Sequence, residues 1–241
     1  MKSSNRSSPG PNGIPYLVYK KLPCCAILLF KILSRIFKTQ QIPKCFGKAF
    51  ISLIPKDPNN LNDVSRFRPI AGLTVEGKIF LYILSRRLIE FCRCNGYLPG
   101  KIQKGFLPGI AGCIELSAVL YAALLDAKKH KHTIIITWLD LVNAYGSVNH
   151  NLLQFALQWY HVPKWYRNFV FTHYESLYAK VVTNEWSTAV FPFLIGVFQG
   201  DPASPIHFNI VYHMCVDYVK QHVINPFVFS DKNFDLHNRF W

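Results

Sequence analysis

Residues 196–209 read GVFQGDPASPIHFN and place two glycines, two prolines, a glutamine and a serine between apolar runs. Gly196 and Gly200 permit a close approach of the backbone or a positive φ angle, and the prolines suit a loop and the start of a helix. Gln199 offers a hydrogen-bond donor and an acceptor without charge. Two interpretations are open: a well-formed loop before a helix that Ser204 caps, or a shelf for a flat ligand such as a nucleotide.

A second informative segment lies upstream, where the apolar run TIIITWLDL at residues 133–141 predicts a buried strand. Such a strand would deliver Asp140 to its end, where a carboxylate is costly unless it meets a cation or water. Mg²⁺ is a natural partner of a carboxylate in that position, and the ring of Tyr145 would lie near whatever the metal holds. The alternative is that Asp140 is only the N-cap of a following helix.

A third segment, SLIPKDPNNLNDVSRFRPI at residues 52–70, carries three cations just after a predicted strand at 48–56. Cations held in this way bind phosphate groups, arginine in bidentate fashion and lysine as a point charge. Lys56, Arg66 and Arg68 are therefore candidate phosphate ligands. The alternative, a solvated basic loop, fits Arg66 better than Arg68.

The composition favours a polyanionic partner. The 241 residues include 27 Lys and Arg against 13 Asp and Glu, which gives a net charge of +14. This excess favours nucleic acid first and an anionic membrane second, although a merely soluble basic protein also fits it. With 50% hydrophobic residues, the chain can bury a core as one large domain or two sub-domains.

The cysteines and the apolar runs bear on location. Seven cysteines form no CxxC pair, which favours a reduced protein inside the cell, in the cytoplasm or nucleus. The polar, turn-rich start MKSSNRSSPGPNGIP is unlike a signal peptide. The apolar run at residues 24–30 is far shorter than the ~20 residues of a membrane span, so we expect an amphipathic core helix there and no membrane partner.

The remaining pattern predicts an α+β fold, because helical stripes of apolar residues alternate with a few hydrophobic strands. A hairpin is expected around Asn184-Glu185. The predicted helices cover residues 22–38, 76–92, 114–128, 150–160, 164–177 and 203–221.

Several short motifs follow one another in a specific order: PGPNGIP, IPK, RFRPI, QKGF, LDLVNAYGSV and GVFQGDPASPIHFN. Over residues 8–221 this series resembles the reverse transcriptase domain of non-LTR (LINE-type) retrotransposons. The resemblance implies a right-hand polymerase fold with fingers and palm, in which a small antiparallel palm sheet packs on helices. It also implies an RNA-directed DNA polymerase that extends a DNA primer on an RNA template with dNTPs, using two Mg²⁺ ions.

The resemblance assigns roles to individual residues. Asp140 matches the metal ligand of the first catalytic motif, and Tyr145 the aromatic residue that excludes a ribose 2′-hydroxyl. Gln199 and Gly200 match the loop that lies against the incoming nucleotide and the template base. Asp201, in the same loop, does not match a metal ligand.

The triphosphate ligands and the departures from the pattern concern other positions. Lys56 and Arg68 resemble the fingers cations that bind the triphosphate. Many relatives have Asp in place of Gly146, Lys in place of Asn143 and a cation in place of Phe198. The first two are not metal ligands in the family, whereas the third could alter contacts with the substrate.

The third catalytic motif of the family, aromatic-x-Asp-Asp, is not found in the sequence. The segment FVFSDKNF comes closest, with Phe229, Ser230 and Asp231, but Lys232 replaces the second Asp. We therefore expect partial fingers and palm over residues 1–221, a divergent tail over residues 222–241, and no thumb.

These expectations leave three hypotheses about function. The first hypothesis is a truncated polymerase fragment that is inactive alone, because one carboxylate in place of three should bind two Mg²⁺ ions poorly. The second is a non-catalytic remnant that still binds RNA or a hybrid duplex. The third is a product without a stable fold.

Overall fold

The computed structural model describes residues 7–59, 61–98, 103–107, 109 and 112–230. Within them the chain forms seven α-helices and four β-strands, which confirms the predicted α+β class. The helices are α1 (Tyr16–Lys21), α2 (Pro23–Thr39), α3 (Val75–Cys94), α4 (Ile114–His130), α5 (His150–Trp159), α6 (Lys164–Glu175) and α7 (Ser204–His222). The strands are β1 (Lys48–Pro55), β2 (Phe67–Leu73), β3 (Tyr178–Val181) and β4 (Phe191–Pro192).

The four strands form one mixed sheet in the order β2-β1-β3-β4. β2 runs antiparallel to β1, with Ala49 opposite Leu73 and Ile54 opposite Arg68, whereas β3 runs parallel to β1. The prediction of a small antiparallel palm sheet is therefore wrong for the β1–β3 pairing, whereas the β1–β2 and β3–β4 pairings are antiparallel. β3 follows β2 only after α3 to α6, and a long helical crossover allows parallel pairing, which a tight hairpin does not.

The run at residues 133–141 is not the buried strand that its composition predicts. It has no regular secondary structure and most of its side chains face solvent; Trp138 is 79% exposed. A strand needs a neighbour for its backbone hydrogen bonds, and this run pairs with none of the four strands of the sheet in the described residues. β-branched composition alone cannot supply that neighbour.

The six predicted helices are confirmed, with ends that differ by at most two residues. Thr74 caps α3 by accepting a hydrogen bond from the Gly77 amide, and Asn149 caps α5 through the amides of Asn151 and Leu152. The prediction that Ser204 caps α7 is wrong, because Ser204 is the first helical residue and its hydroxyl has no partner among the described residues.

The core joins the sheet to the helices that flank it. An aromatic cluster lies at its centre, where the ring of Phe80 on α3 is 5.3 Å from Phe37, 6.1 Å from Phe46 and 5.5 Å from Phe169, centroid to centroid. α5 packs against both α6 and α7. This packing carries the loop before α7 to the edge of the sheet.

The amphipathic helix α2 is only partly buried. Leu29, Leu33 and Ile36 enter the core as expected, whereas Ile27 and Phe30 stay exposed. Among the described residues, no helix has both the length and the apolar character that crossing a bilayer requires.

The hairpin expected around Asn184-Glu185 is confirmed. Val182 forms an antiparallel bridge with Ser187, and the Thr183 amide donates to the Trp186 carbonyl oxygen at 2.9 Å. This hairpin extends from β3.

Candidate functional site

The loop at residues 196–201 is fixed to the edge of β2. The Ala71 amide donates to the Gln199 carbonyl oxygen at 2.6 Å, and Ile70 and Gln199 form a parallel bridge. Gly200 has φ +119°, and a Cβ there would lie 2.4 Å from the Ala71 carbonyl oxygen. Only glycine permits this close approach, which answers why the sequence places a glycine directly after the glutamine.

The other end of the loop contacts the turn that carries Tyr145. The Val197 amide donates to the Tyr145 carbonyl oxygen and the Gly196 amide to the Val148 carbonyl oxygen, both at 2.8 Å. Gly196 has φ +91°, and a Cβ there would lie 2.9 Å from Gly146 Cα. The structure thus brings together two segments that the sequence separates by some fifty residues.

The side chain of Tyr145 is half-buried beside the loop. Its ring lies 5.5 Å from the ring of Phe208 on α7, which in turn stacks on Tyr212 at 5.7 Å. Burial raises the pKa of Tyr145 above its ordinary value, so its phenol stays neutral near pH 7. The site therefore has an uncharged aromatic side chain, packed against Phe208, in the turn that contacts the loop.

The predicted cations lie together at one end of the β1–β2 pair. Arg68 is opposite Ile54 and is exposed, two residues along β2 from the bridge at Ile70; strand geometry puts them roughly 7 Å apart. The ammonium of Lys56 donates to the Ser65 carbonyl oxygen at 3.1 Å. Arg66 pairs with Asp63 at 3.7 Å, which favours the solvated-loop interpretation for Arg66.

Asp140 does not lie at the end of a strand. It is exposed on the irregular run, five residues before Tyr145. The alternative of an N-cap is also wrong, because the residues after it form turns and the next helix, α5, is capped by Asn149.

The donor set does not fit the two Mg²⁺ ions that the family implies. Among the described residues, no three Asp, Glu, His or Cys side chains come close enough to hold a metal ion. Asp201 belongs to the loop, but its carboxylate is buried and accepts hydrogen bonds from the chain itself. A lone exposed carboxylate at Asp140 leaves most of the charge of two divalent cations uncompensated.

The segment closest to the third catalytic motif is tied to α4. Phe229 is buried, and the Ser230 hydroxyl donates to the Asp126 carboxylate at 3.0 Å. Asp231 and Lys232 lie outside the described residues. The hydrogen bonds to Asp126 thus explain the position of Ser230 by a structural role.

Sequence reasoning missed three polar contacts around the loop. His150 on α5 donates from Nε2 to the Gly196 carbonyl oxygen at 2.7 Å, and burial lowers its pKa. Asn209 on α7 donates to the Gly105 carbonyl oxygen at 2.9 Å, so the QKGF and GVFQGDPASPIHFN motifs touch. Asp201 meets His173 of α6 in the interior. No local pattern marks such partners, since each pair is 28 or more residues apart in sequence.

Comparison with known proteins gives one family and several relatives. Residues 54–234 match the family described as reverse transcriptase (RNA-dependent DNA polymerase). The Pol polyprotein from the type-2 retrotransposable element R2DM of Drosophila melanogaster is 30% identical over 205 residues, 85% of this chain and 18% of that protein. The corresponding R2 type-1 protein of Nasonia vitripennis is 28% identical over 211 residues, 88% of this chain and 20% of that protein.

A more distant relative is the RNA-directed DNA polymerase from the mobile element jockey of Drosophila melanogaster. It is 25% identical over 206 residues, 85% of this chain and 22% of that protein. The chain thus spans about a fifth of the length of these curated relatives.

Proposed function

The chain belongs to the reverse transcriptase (RNA-dependent DNA polymerase) family, and we propose that the region around Gln199 seats an incoming dNTP against an RNA template and a DNA primer. The chain is an RNA-directed DNA polymerase domain fragment of the retrotransposon type. The observation that carries the site proposal is the hydrogen bond from the Ala71 amide to the Gln199 carbonyl oxygen, because it joins the loop to β2, the strand that carries Arg68.

In this arrangement each side chain has a role that its chemistry permits. The exposed guanidinium of Arg68 binds the triphosphate in bidentate fashion, with Lys56 as a second cation. Gln199 and the backbone at Gly200 lie against the base pair. Tyr145 forms the wall beside the sugar, where a 2′-hydroxyl would collide with its ring.

The same arrangement supports binding better than catalysis by this chain alone. Bound Mg²⁺ would supply charge neutralisation and activation of the primer hydroxyl, but Asp140 is the only proposed ligand among the described residues. We therefore expect no primer extension on poly(rA)/oligo(dT) with Mg²⁺ or Mn²⁺. Robust extension would show that the ligand set is more complete than the described residues provide.

Binding of the nucleic acid itself follows from the net charge of +14. We expect an RNA/DNA hybrid to bind with an affinity that falls steeply as salt rises, because phosphate contacts release counterions.

We also propose that the chain works inside the cell, since its seven cysteines are free, as in a reducing compartment.

Fluorescence anisotropy with a labelled dTTP analogue, in the presence of unlabelled poly(rA)/oligo(dT) hybrid, tests the proposal. Arg68→Ala should weaken binding of the analogue about tenfold, because it removes a cation from the triphosphate, and reduce the salt slope by about one. Arg35→Ala, at an exposed arginine of α2, is the matched control and should change affinity less than twofold. Equal losses in both variants, or binding that ignores salt, would contradict the proposed site.

A further inference from the structure

A buried carboxylate, that of Asp201, directly follows Gln199 and Gly200, the two residues that we call the Gln199–Gly200 shelf. The side chains of Asp201 and His173 are each 1% exposed, and His173 Nε2 is 3.4 Å from Asp201 Oδ2. Because a carboxylate oxygen accepts hydrogen bonds, Nε2 is the ring nitrogen that donates in this contact. His173 Nδ1 has no hydrogen-bond partner among the described residues.

The second oxygen of the same carboxylate holds the start of α7. Asp201 Oδ1 accepts from the Ala203 amide at 2.7 Å, and the Asp201 carbonyl oxygen accepts from the Ser204 amide at 3.2 Å. Asp201 therefore forms a turn just before α7, whose N-cap residue Ala203 makes no side-chain capping hydrogen bond. It joins the shelf, α6 and α7 at one point.

A polar layer between α6 and α7 holds the part of α6 that carries His173. Tyr174, the next residue along α6, places its hydroxyl 2.9 Å from His207 Nδ1, and the Tyr166 hydroxyl lies 3.3 Å from His207 Nε2. All three side chains are buried. Since α6 cannot shift without breaking these contacts, they fix the position of His173, which hydrogen-bonds the loop through Asp201.

From this geometry we propose that His173 is a positioning residue, which holds Asp201 and thereby fixes the Gln199–Gly200 shelf in the conformation that receives a nucleotide. The inference rests on the proposed function of that shelf. Without the imidazole, a buried carboxylate is left without its partner, and the glycine at 200 gives the loop the freedom to move it toward water. The shelf would then leave the edge of β2.

Two variants separate this role from simple loss of packing. His173→Leu keeps an apolar side chain in the space but removes the donor, whereas His173→Gln keeps an N–H that can reach the carboxylate. Positioning predicts that the glutamine rescues what the leucine loses. Both are compared with the wild type at a temperature at which all three are folded.

The first readout is hydrogen exchange at the Ala71 amide, which donates to Gln199. The Val182 amide, which donates to Ile51 in the sheet, is the reference for general loosening. We expect the exchange ratio of Ala71 to Val182 to rise at least tenfold in His173→Leu and less than threefold in His173→Gln. An unchanged ratio in His173→Leu would overturn the proposal.

The second readout is the affinity for dTTP with Mg²⁺ in the presence of a poly(rA)/oligo(dT) hybrid. His173→Leu should weaken dTTP binding at least fivefold more than it weakens hybrid binding, and His173→Gln should restore most of the difference. Equal dTTP affinity in His173→Leu and the wild type would contradict positioning. If the wild type binds neither hybrid nor dTTP, the proposed function fails, while the exchange ratio still decides whether His173 fixes the loop.

Discussion

At the scale of single residues, the site depends on backbone that only glycine can supply. The glycine pattern at 196 and 200 was enough to predict a close approach, and the structure identifies what is approached: the turn at Gly146 and the carbonyl of Ala71. The sequence could not name those partners, because they lie about 50 and 130 residues away.

Gly200→Ala tests the close approach to β2. A Cβ at this position meets the Ala71 carbonyl in addition to the strain of φ +119°, so we expect a loss of about 3 kcal/mol in the free energy of unfolding. Gly13→Ala is the matched control, since Gly13 has φ +71° with nothing within 4 Å; it should cost about 1 kcal/mol. Urea denaturation measures both changes in the free energy of unfolding. Equal losses would show that Gly200 does not lie in close contact with the Ala71 carbonyl.

His207 should make stability depend on pH. Burial, the largest effect on this side chain, lowers its pKa from 6.5 to about 4. The unfolded chain therefore takes up a proton at a higher pH than the folded one, and the stabilisation that is present above pH 6.5 is lost as pH falls toward 4.

For the wild type we expect a decrease of about 2 kcal/mol in the free energy of unfolding between pH 7.5 and pH 5 from His207. His207→Gln has lower stability at pH 7.5, because it disturbs the Tyr166 and Tyr174 contacts, but a flatter dependence on pH. Denaturation at both pH values gives the two slopes. Parallel slopes would mean that His207 does not titrate as its burial requires.

At the scale of secondary-structure elements, local patterns predicted the helices well and the sheet poorly. Helices depend on apolar stripes within one segment, which the sequence displays directly. Strands depend on distant partners: β2 was not recognised as a strand, and the run at 133–141 was assigned to one without a neighbour. The link between Asp201 and His173 was missed for the same reason, since nothing local to either residue signals the other.

Hydrogen exchange tests the irregular run directly. The amides of residues 134–142 should exchange within about tenfold of unstructured rates, because the run has no regular secondary structure and Ile135 and Val142 are each 88% exposed. The amides of β1 that pair within the sheet are the internal reference and should be strongly protected. Equal protection in the two segments would mean that the run is paired after all.

At the scale of the whole molecule, the core argues against a chain without a stable fold. Phe80 is fully buried among aromatic residues from α2, the turn before β1 and α6. Contacts of this kind join distant parts of the sequence, so the molecule should unfold in one cooperative transition.

Phe80→Ala should lower the free energy of unfolding by about 4 kcal/mol, because it removes a large side chain and leaves a cavity. Phe30→Ala, at a residue of α2 that is 71% exposed, is the control and should cost less than about 0.5 kcal/mol. Thermal unfolding followed by circular dichroism distinguishes them. A broad, non-cooperative transition in the wild type would favour the third hypothesis.

The central claim, that residues 196–201, the end of β2 and the turn at Tyr145 form one nucleotide site, can be tested most directly by photo-crosslinking. A photoreactive dTTP analogue is bound with poly(rA)/oligo(dT), and the crosslinked peptides are identified by mass spectrometry. The account predicts crosslinks within residues 196–201 and 66–72, removed by excess dTTP. Crosslinks confined to α2 or α4, or crosslinks that excess dTTP leaves unchanged, would contradict it.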